Sequence, residues 1–337
     1  MILIDGIIYS LQRTGGITVL FNEIVSRLPQ QEFEIVCYGG AKFSGTKLVK
    51  SRLAERYRDA RVHRKYDVFH STYYRLPSVS CGKVVTTVHD YTYERFLRGT
   101  LRGRVHSWQK NRAVAGADRI ICVSESTKQD LIQFSGAQYE SRAVVIPNGV
   151  SEGFFPDRNV RIESQVLFVG ARGGYKNFHA VVVAIEGLKD VGLVLVGGGP
   201  LTKDEHSLLQ RHVPGRFAHR GYLSEAELNS EYNRSICLVY PSLYEGFGIP
   251  VLEAMRAGCA VVAVDSSSIP EVAGTAALLM ERGAPEEVRQ AIEFLMVEEN
   301  RHRYRSQGFS RSKQFSWDIT YKRTAKLYEE LLGYELT

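Results

Sequence analysis

The sequence predicts an α/β protein built from two Rossmann-like, doubly wound halves. Short apolar runs of strand length alternate with stretches of helical periodicity through the chain, as in parallel sheets covered by helices. This alternation is interrupted at Pro147-Asn148-Gly149 and a polar stretch to about residue 164, and it then restarts. A chain of 337 residues is also long enough for two domains.

Each half has its own series of elements. In the first half, apolar runs predict strands at residues 2–4, 34–37, 68–70, 84–88, 119–123 and 143–146. In the second half they predict strands at 166–169, 192–196, 236–240 and 260–264, with helices at 178–186, 224–232 and 250–257. A last helix is predicted at 319–332. The predicted divisions are therefore residues 1–150, 151–316 and a C-terminal segment, 317–337.

The positive charge lies in the first half of the chain. Residues 1–155 carry 22 Lys and Arg against 14 Asp and Glu, a net of +8, whereas residues 156–337 carry 21 against 23, a net of −2. Two basic stretches, 47–65 and 95–112, fit either a solvated helix face or a surface attracted to an anionic membrane or a phosphate-bearing acceptor. No nucleic-acid recognition motif accompanies them, so no nucleic-acid partner is expected.

The compartment is predicted from the chain start and the cysteines. The first residues have no basic segment before an apolar run and are typical of a strand rather than a signal peptide, and no run of about 18 apolar residues predicts a membrane span. Five scattered cysteines form no CxxC pair, which favours buried thiols over a zinc site. We expect a cytoplasmic protein, and the basic half leaves peripheral association with the cytoplasmic face of the inner membrane open.

The most informative stretch is Tyr-Glu-Gly-Phe-Gly-Ile-Pro, which ends at Pro250. Proline is typical of the first position of a helix, so Glu245 lies in the loop after a strand and Glu253 in the opening turns of the next helix. Carboxylates do not bind phosphate, but they are good acceptors for hydroxyl groups. We therefore expect both glutamates to contact sugar or ribose hydroxyls.

The backbone of the same stretch predicts an anion site. Gly246 and Gly248 leave the loop around Phe247 free to approach a ligand closely. N–H groups of Gly248, Ile249 and Val251, at the start of the helix, are expected to be unpaired, and the helix dipole favours an anion there. A pyrophosphate fits such a site.

The spacing Glu-x7-Glu from Glu245 to Glu253, with the sequence around it, resembles the signature of retaining glycosyltransferases of the GT-B fold. The most similar family is family 4, which includes mannosyltransferases and other enzymes of bacterial polysaccharide and lipopolysaccharide synthesis. The resemblance covers nearly the whole chain and is most specific at about 165–280. It implies that two domains face a central cleft, with 1–150 binding the acceptor, 151–316 the donor, and 317–337 crossing back to the first domain.

A second motif follows the strand predicted at 166–169. Arg172 and Lys176 lie four residues apart before a helix begins. Two cations at the carboxyl edge of a strand suit a diphosphate leaving group, whose charge grows as the glycosidic bond breaks. The resemblance assigns this role to Arg172 and Lys176, although either alone would also fit a solvated surface cation.

Further donor contacts are implied by the resemblance. The nucleotide base is expected near Tyr222 and Leu223, before a helix that Ser224 and Glu227 begin with a capping-box spacing. Gly15 and Gly16 are expected to bring backbone amides to the donor phosphates in a loop that starts at Thr14.

One histidine is expected to contact the donor sugar. His89 lies with Asp90 at the carboxyl edge of a predicted strand, where α/β sheets build sites, and the position matches a family histidine. The segment 69–75, Phe-His-Ser-Thr-Tyr-Tyr-Arg, fits either contacts to a sugar acceptor or a buried aromatic turn.

The expected reaction needs no metal and no other cofactor. No Asp-x-Asp motif occurs, so Arg172, Lys176 and helix N-termini are expected to take the place of a cation. By resemblance the anomeric configuration is retained, through front-face attack in which a donor phosphate oxygen takes the acceptor proton. His89, Glu245, Arg172 and Lys176 are the expected catalytic residues. The favoured donor is of the GDP-mannose type, with a UDP-sugar as the alternative, and the acceptor is expected to be a glycan or lipid-linked oligosaccharide in O-antigen or similar surface polysaccharide synthesis.

Three other classes share parts of this pattern. An NAD-dependent oxidoreductase is disfavoured because no strand ends in a convincing GxGxxG followed by an acidic residue. A non-hydrolysing sugar-nucleotide epimerase has the same architecture, but the Glu-x7-Glu loop favours transfer. A non-catalytic polysaccharide-binding module would be expected to lack the paired cations and carboxylates.

Overall fold

The computed structural model describes residues 1–12, 15–38 and 46–336. Thr14, the first residue of the predicted phosphate loop, lies outside the described residues. The chain divides into two compact units, one formed by Met1–Gly149 with Trp317–Thr337 and the other by Val150–Ser316.

The first unit is a parallel sheet flanked by helices. Its described strands are β1 (Ile2–Asp5), β2 (Phe33–Cys37), β3 (Thr46–Leu48), β4 (Val68–Ser71), β5 (Lys83–Val88), β6 (Arg119–Cys122) and β7 (Ala143–Val145). Its described helices are α1 (Ile8–Leu11), α2 (Gly16–Val25), α3 (Thr92–Phe96), α4 (Leu101–Gly116), α5 (Glu125–Phe134) and the C-terminal α13 (Trp317–Leu332). The strand order is β3-β2-β1-β4-β5-β6-β7, so the winding direction reverses between β1 and β4.

The second unit repeats this architecture. Its described strands are β8 (Gln165–Val169), β9 (Gly192–Val196), β10 (Phe217–His219), β11 (Cys237–Tyr240), β12 (Ala260–Val264) and β13 (Leu278–Met280). The helices are α6 (Phe178–Glu186), α7 (Lys203–His212), α8 (Glu225–Arg234), α9 (Ile249–Arg256), α10 (Ile269–Ala273), α11 (Pro285–Met296) and α12 (Glu298–Ser312). The order is β10-β9-β8-β11-β12-β13, and the winding reverses between β8 and β11.

Burial on both faces explains why these strands form parallel sheets. The runs in β11 and β12 are buried at every position, and helices on either side exclude water from them. The predicted α/β class with two doubly wound sheets is confirmed. Among the described helices, none is both long enough and apolar enough to span a bilayer.

Candidate active site in the second unit

The reversal of strand order brings two predicted motifs together. Strands β8 and β11 are neighbours through the pairing of Leu167 with Leu238, and the loops that leave their carboxyl ends therefore start side by side. Lys176 lies in the loop after β8 and Glu245 in the loop after β11. The two loops are joined directly, because the N–H of Leu243 donates to the carbonyl oxygen of Tyr175 at 2.8 Å.

Lys176 and Glu245 form an ion pair at this point. The Lys176 Nζ lies 2.5 Å from Oε1 of Glu245, and the two side chains are only 15% and 12% exposed. The ammonium also lies over the ring of Tyr240, 5.5 Å from its centroid. Burial, together with the charge of Glu245, raises the pKa of Tyr240 well above its usual value, so this hydroxyl stays protonated. A charged pair held in a mostly dry loop cluster interacts more strongly than one in water.

Two serines that we did not predict hold the Glu245 backbone. The hydroxyl of Ser267 accepts the N–H of Glu245 at 2.8 Å, and that of Ser268 donates to its carbonyl oxygen at 2.9 Å. Both serines lie in the loop after β12, the strand next to β11, and Ser267 has a positive φ of 52°. The Ser266-Ser267-Ser268 run after an apolar strand was the available sequence signal.

The start of α9 offers backbone donors. Within the described residues, the N–H groups of Phe247, Gly248 and Ile249 have no hydrogen-bond acceptor. The expectation for Val251 is wrong, because its N–H donates to the carbonyl oxygen of Gly248 at 3.0 Å. Gly248 has φ +98°, a conformation that glycine adopts without strain. These three consecutive N–H groups lie at the positive end of the helix dipole, which suits an anion. Gly246 lies in the loop just before them.

Glu253 lies in the first turns of α9, as predicted. Its Oε2 accepts a hydrogen bond from the hydroxyl of Tyr232 at 3.0 Å. Burial raises the pKa of Glu253 to about 7, although the hydrogen bond from Tyr232 opposes that shift. The carboxyl group therefore changes its charge near neutral pH.

The guanidinium group of Arg172 is bonded within the protein, whereas we expected it to be free to bind a diphosphate. Its guanidinium, 2% exposed, donates to the carbonyl oxygens of Gly197 at 2.9 Å, Gly199 at 2.9 Å and Pro200 at 3.0 Å. The carboxylate of Glu205 lies 3.1 Å from its Nε. In this structure Arg172 fixes the glycine-rich loop after β9, and its contact with a diphosphate stays a prediction.

The predicted base-binding residues follow β10. Tyr222 is 71% exposed and Leu223 is partly buried, just before α8. The predicted capping box is confirmed, since Ser224 and Glu227 exchange both of its hydrogen bonds. The carbonyl oxygen of Gly221 accepts the N–H of Gly197 at 2.6 Å, which joins this turn to the loop that Arg172 holds. A contact of Tyr222 and Leu223 with a base stays a prediction.

In the first unit, His89 follows β5 as predicted and is buried. Burial lowers its pKa to about 4, and the nearby charge of Lys110 acts in the same direction, so the ring is neutral at pH 7. Within the described structure its Nε2 has no hydrogen-bond partner. Gly15 is the residue before α2, with φ +149°, and Gly16 begins that helix. The predicted donor contacts of all three stay predictions.

The segment 69–75 is a buried aromatic turn, so the alternative of an open acceptor surface is wrong for most of it. His70 bonds Tyr328 of α13 at 2.6 Å and Thr87 at 2.9 Å, which uses both ring nitrogens. Tyr74 is 3% exposed and Arg75 is 1% exposed. These side chains pack at the carboxyl end of β4, in the middle of the sheet, and leave little surface for a sugar.

Comparison with known proteins agrees with this architecture. The family described as "Glycosyl transferases group 1" matches residues 156–311, and "Glycosyltransferase Family 4" matches residues 14–153. Alpha-maltose-1-phosphate synthase of Mycolicibacterium smegmatis is 30% identical, with 77% of this chain and 75% of that protein covered. An uncharacterized glycosyltransferase of Methanocaldococcus jannaschii is 28% identical over 94% and 95% of the two chains. O-antigen chain mannosyltransferase B of Escherichia coli is 26% identical over 78% and 74%.

Solved structures show the same fold at low sequence identity. Sucrose-phosphate synthase from Thermosynechococcus elongatus gives a TM-score of 0.80 at 17% identity, over 98% of this chain and 99% of that one. The Anabaena protein HepE, solved in complex with UDP-glucose, gives 0.78 at 17% identity over 98% and 99%.

Two parallel, doubly wound sheets of this kind form the GT-B fold. The chain belongs to glycosyltransferase family 4, as the matches over both units and the M. smegmatis relative show.

Proposed function

We propose that this protein transfers a sugar from a nucleoside-diphosphate donor, with retention and without a metal ion, to a glycan or lipid-linked acceptor in surface polysaccharide synthesis. A donor of the GDP-mannose type is favoured, in keeping with the O-antigen mannosyltransferase relative, and a UDP-sugar is the alternative. The observation that carries the proposal is the Lys176–Glu245 pair, 2.5 Å apart, in the loops next to three unpaired N–H groups at the start of α9.

The diphosphate is assigned to the start of α9 and to Lys176. An anion there accepts hydrogen bonds from the N–H groups of Phe247, Gly248 and Ile249 and is favoured by the helix dipole. The Lys176 ammonium adds a full positive charge where the leaving diphosphate gains negative charge. Arg172 supports this site through the Gly197–Pro200 backbone, and it keeps its proposed contact with the diphosphate.

The two carboxyl groups are assigned to hydroxyls of the donor. Glu245 is fixed by Lys176 and by the serines after β12, so its free lone pairs have a set direction for sugar hydroxyls. Glu253, farther along α9, is assigned to the ribose. His89, Gly15 and Gly16 of the first unit keep their proposed contacts with the donor, and Tyr222 and Leu223 those with its base.

The transfer step balances without an outside reagent. The bond between the anomeric carbon and the β-phosphate oxygen breaks, and the acceptor oxygen bonds that carbon on the same face. The acceptor proton passes to the departing phosphate oxygen, so the products are a glycoside and a nucleoside diphosphate. The protein supplies charge stabilisation and orientation of the reacting groups.

Calorimetric titration in EDTA with GDP, UDP, ADP and dTDP tests this proposal. We expect one diphosphate to bind selectively, and the matching nucleotide sugar to yield a product whose anomeric configuration, read by NMR, equals that of the donor. Binding of NAD with none of the diphosphates would overturn the transferase assignment. An inverted product would overturn only retention, and binding that needs a divalent ion would overturn metal independence.

The pKa of Glu253 predicts a pH dependence of donor binding. Below about pH 7 the carboxyl group of the free protein is protonated, whereas hydroxyl groups favour the carboxylate. Affinity for the intact nucleotide sugar is therefore expected to fall about three- to tenfold from about pH 8 to about pH 6. The Glu253→Gln variant has no such proton to lose, and its affinity should stay flat. Equal pH profiles of the two proteins, measured by calorimetry, would exclude Glu253 from the ribose contact.

A further inference from the structure

Helix α4 carries an exposed apolar stripe on the first unit. Leu101, Val105 and Trp108 are 79%, 37% and 58% exposed, and their spacing of four and three residues places them along one side of the helix. Phe96, the last residue of α3, is 45% exposed. Large apolar side chains that lie together on a protein surface often mark a contact with another protein or with a membrane.

Free positive charge borders this stripe. Residues 95–117 contain no Asp or Glu. Arg98, Arg102 and Arg104 are exposed, and within the described structure the guanidinium groups of Arg98 and Arg104 form neither an ion pair nor a hydrogen bond. Other cations of the same stretch behave differently. Lys110 is fully buried in an ion pair with Glu94 at 2.8 Å, so it is not part of a solvated face.

The opposite side of α4 is firmly packed, so the exposed side has a defined position. The hydroxyl of Thr100 caps the helix by accepting the N–H of Gly103. His106 stacks on Tyr93 with ring centroids 3.8 Å apart, and the amide of Gln109 donates to the carbonyl oxygen of Arg56 at 2.6 Å.

The hydrogen bond from Gln109 to Arg56 holds a second exposed segment, the residues around Arg56, against the helix. In the residues next to Arg56, Leu53 is 89% exposed and Tyr57 is 47% exposed. Arg112 of α4 also pairs with Asp59 at 2.5 Å, which ties the same segment to the helix.

We propose that this surface, formed by Arg98, Leu101, Arg104, Val105 and Trp108, docks the protein on an anionic membrane leaflet. Apolar side chains of a surface helix enter the boundary between headgroups and acyl chains, and unpaired arginines beside them attract anionic lipids. A nucleic acid would pair with the arginines, but it would not bury the exposed aliphatic side chains of Leu101 and Val105. The inference deepens the proposed function and rests on it in one respect, because docking serves a lipid-linked acceptor.

Flotation with phosphatidylcholine vesicles, with and without phosphatidylglycerol, tests this surface. We expect binding only with the anionic lipid, and a blue shift of Trp fluorescence, since Trp108 is exposed whereas Trp317 is 4% exposed. Arg98→Glu/Arg104→Glu and Leu101→Ser/Trp108→Ser should each weaken binding at least about tenfold. Lys322→Glu/Lys326→Glu on α13 makes the same charge change at exposed positions and should change binding far less.

Several results would overturn the docking surface. These are equal binding of the wild type and both α4 variants, a loss as large in the α13 control, or tighter binding to double-stranded DNA than to anionic vesicles. Nucleotide titration of the same variants without lipid separates this inference from the proposed function. Variants that lose vesicle binding but bind the nucleoside diphosphate like the wild type support the surface.

Discussion

Replacing Lys176 by methionine is expected to lower kcat/KM by about 10²–10³-fold, or about 3–4 kcal/mol of transition-state stabilisation. Two losses combine in this variant. The departing diphosphate loses the cation assigned to it, and the Glu245 carboxylate, 12% exposed, loses the partner at 2.5 Å that holds it. Methionine keeps much of the volume of the lysine stem, so packing against Tyr240 is retained. The measurement is steady-state kinetics beside calorimetric titration with the diphosphate that binds.

Controls separate charge, position and pairing in that experiment. Lys189→Met removes an exposed lysine of the same unit, in the loop before β9, and should leave the kinetics unchanged. Because Lys176 and Glu245 act as one unit, Lys176→Met/Glu245→Gln should lose little more activity than the worse single variant. A fully additive loss would contradict that coupling. Unchanged diphosphate affinity and kcat in Lys176→Met would remove this lysine from the site.

The proximity of the motifs that follow β8 and β11 was predictable, because it depends only on the order of the strands in the sheet. A lysine after β8 and a glutamate after β11 must lie near each other once these two strands are neighbours at the reversal of the sheet. The glycine and proline signals likewise predict the start of α9 to within one residue. The short edge strand β3 was missed, because its three residues, Thr46–Leu48, carry too little apolar pattern.

The roles of single arginines and lysines could not be predicted in the same way. Arg172 meets carbonyl groups 25 to 28 residues away, and nothing in its own loop indicates that its guanidinium is turned to the loop after β9. Lys110 lies in a basic stretch, yet it is buried against Glu94, 16 residues earlier. A cation that is paired inside the protein has the same local sequence as one in solvent.

Arg75 is the clearest example of a cation whose role could not be predicted from its local sequence. It lies at the centre of a buried charge cluster in the first unit. Its guanidinium contacts Glu55 at 2.8 Å and Asp5 at 3.3 Å, and the exposed fractions of the three side chains are 1%, 4% and 1%. Tyr38 lies under the guanidinium, 4.6 Å from ring centroid to Cζ. Burial raises the pKa of Asp5, and the charge of Arg75 opposes this.

Arg75→Met is expected to destabilise the first unit by about 3–5 kcal/mol, since it removes the ion-pair partner of the buried Asp5 and leaves Glu55 with Arg52 as its remaining partner. The measurement is urea unfolding followed by Trp fluorescence, which reports on this unit because both tryptophans, Trp108 and Trp317, belong to it. Arg64→Met is the matched control. Arg64 pairs with Glu34 at 3.2 Å but is 50% exposed, so its loss should cost less than about 1 kcal/mol.

The dependence of this effect on pH identifies its cause. In the wild type, burial acts to raise the pKa of Glu55, but hydrogen bonds from Arg52 and the charge of Arg75 outweigh it and hold the value at about 2. Its stabilisation is therefore present above the pKa of the unfolded chain and lost as the pH falls toward 2. Without Arg75, the buried carboxyl groups bind protons more readily in the folded state, so the variant's deficit should shrink as the pH falls below about 5. Asp5→Asn/Glu55→Gln in the Arg75→Met background should recover part of the loss at pH 7. A deficit independent of pH and unrelieved by these neutral replacements would show that lost packing, rather than unpaired charge, destabilises the unit.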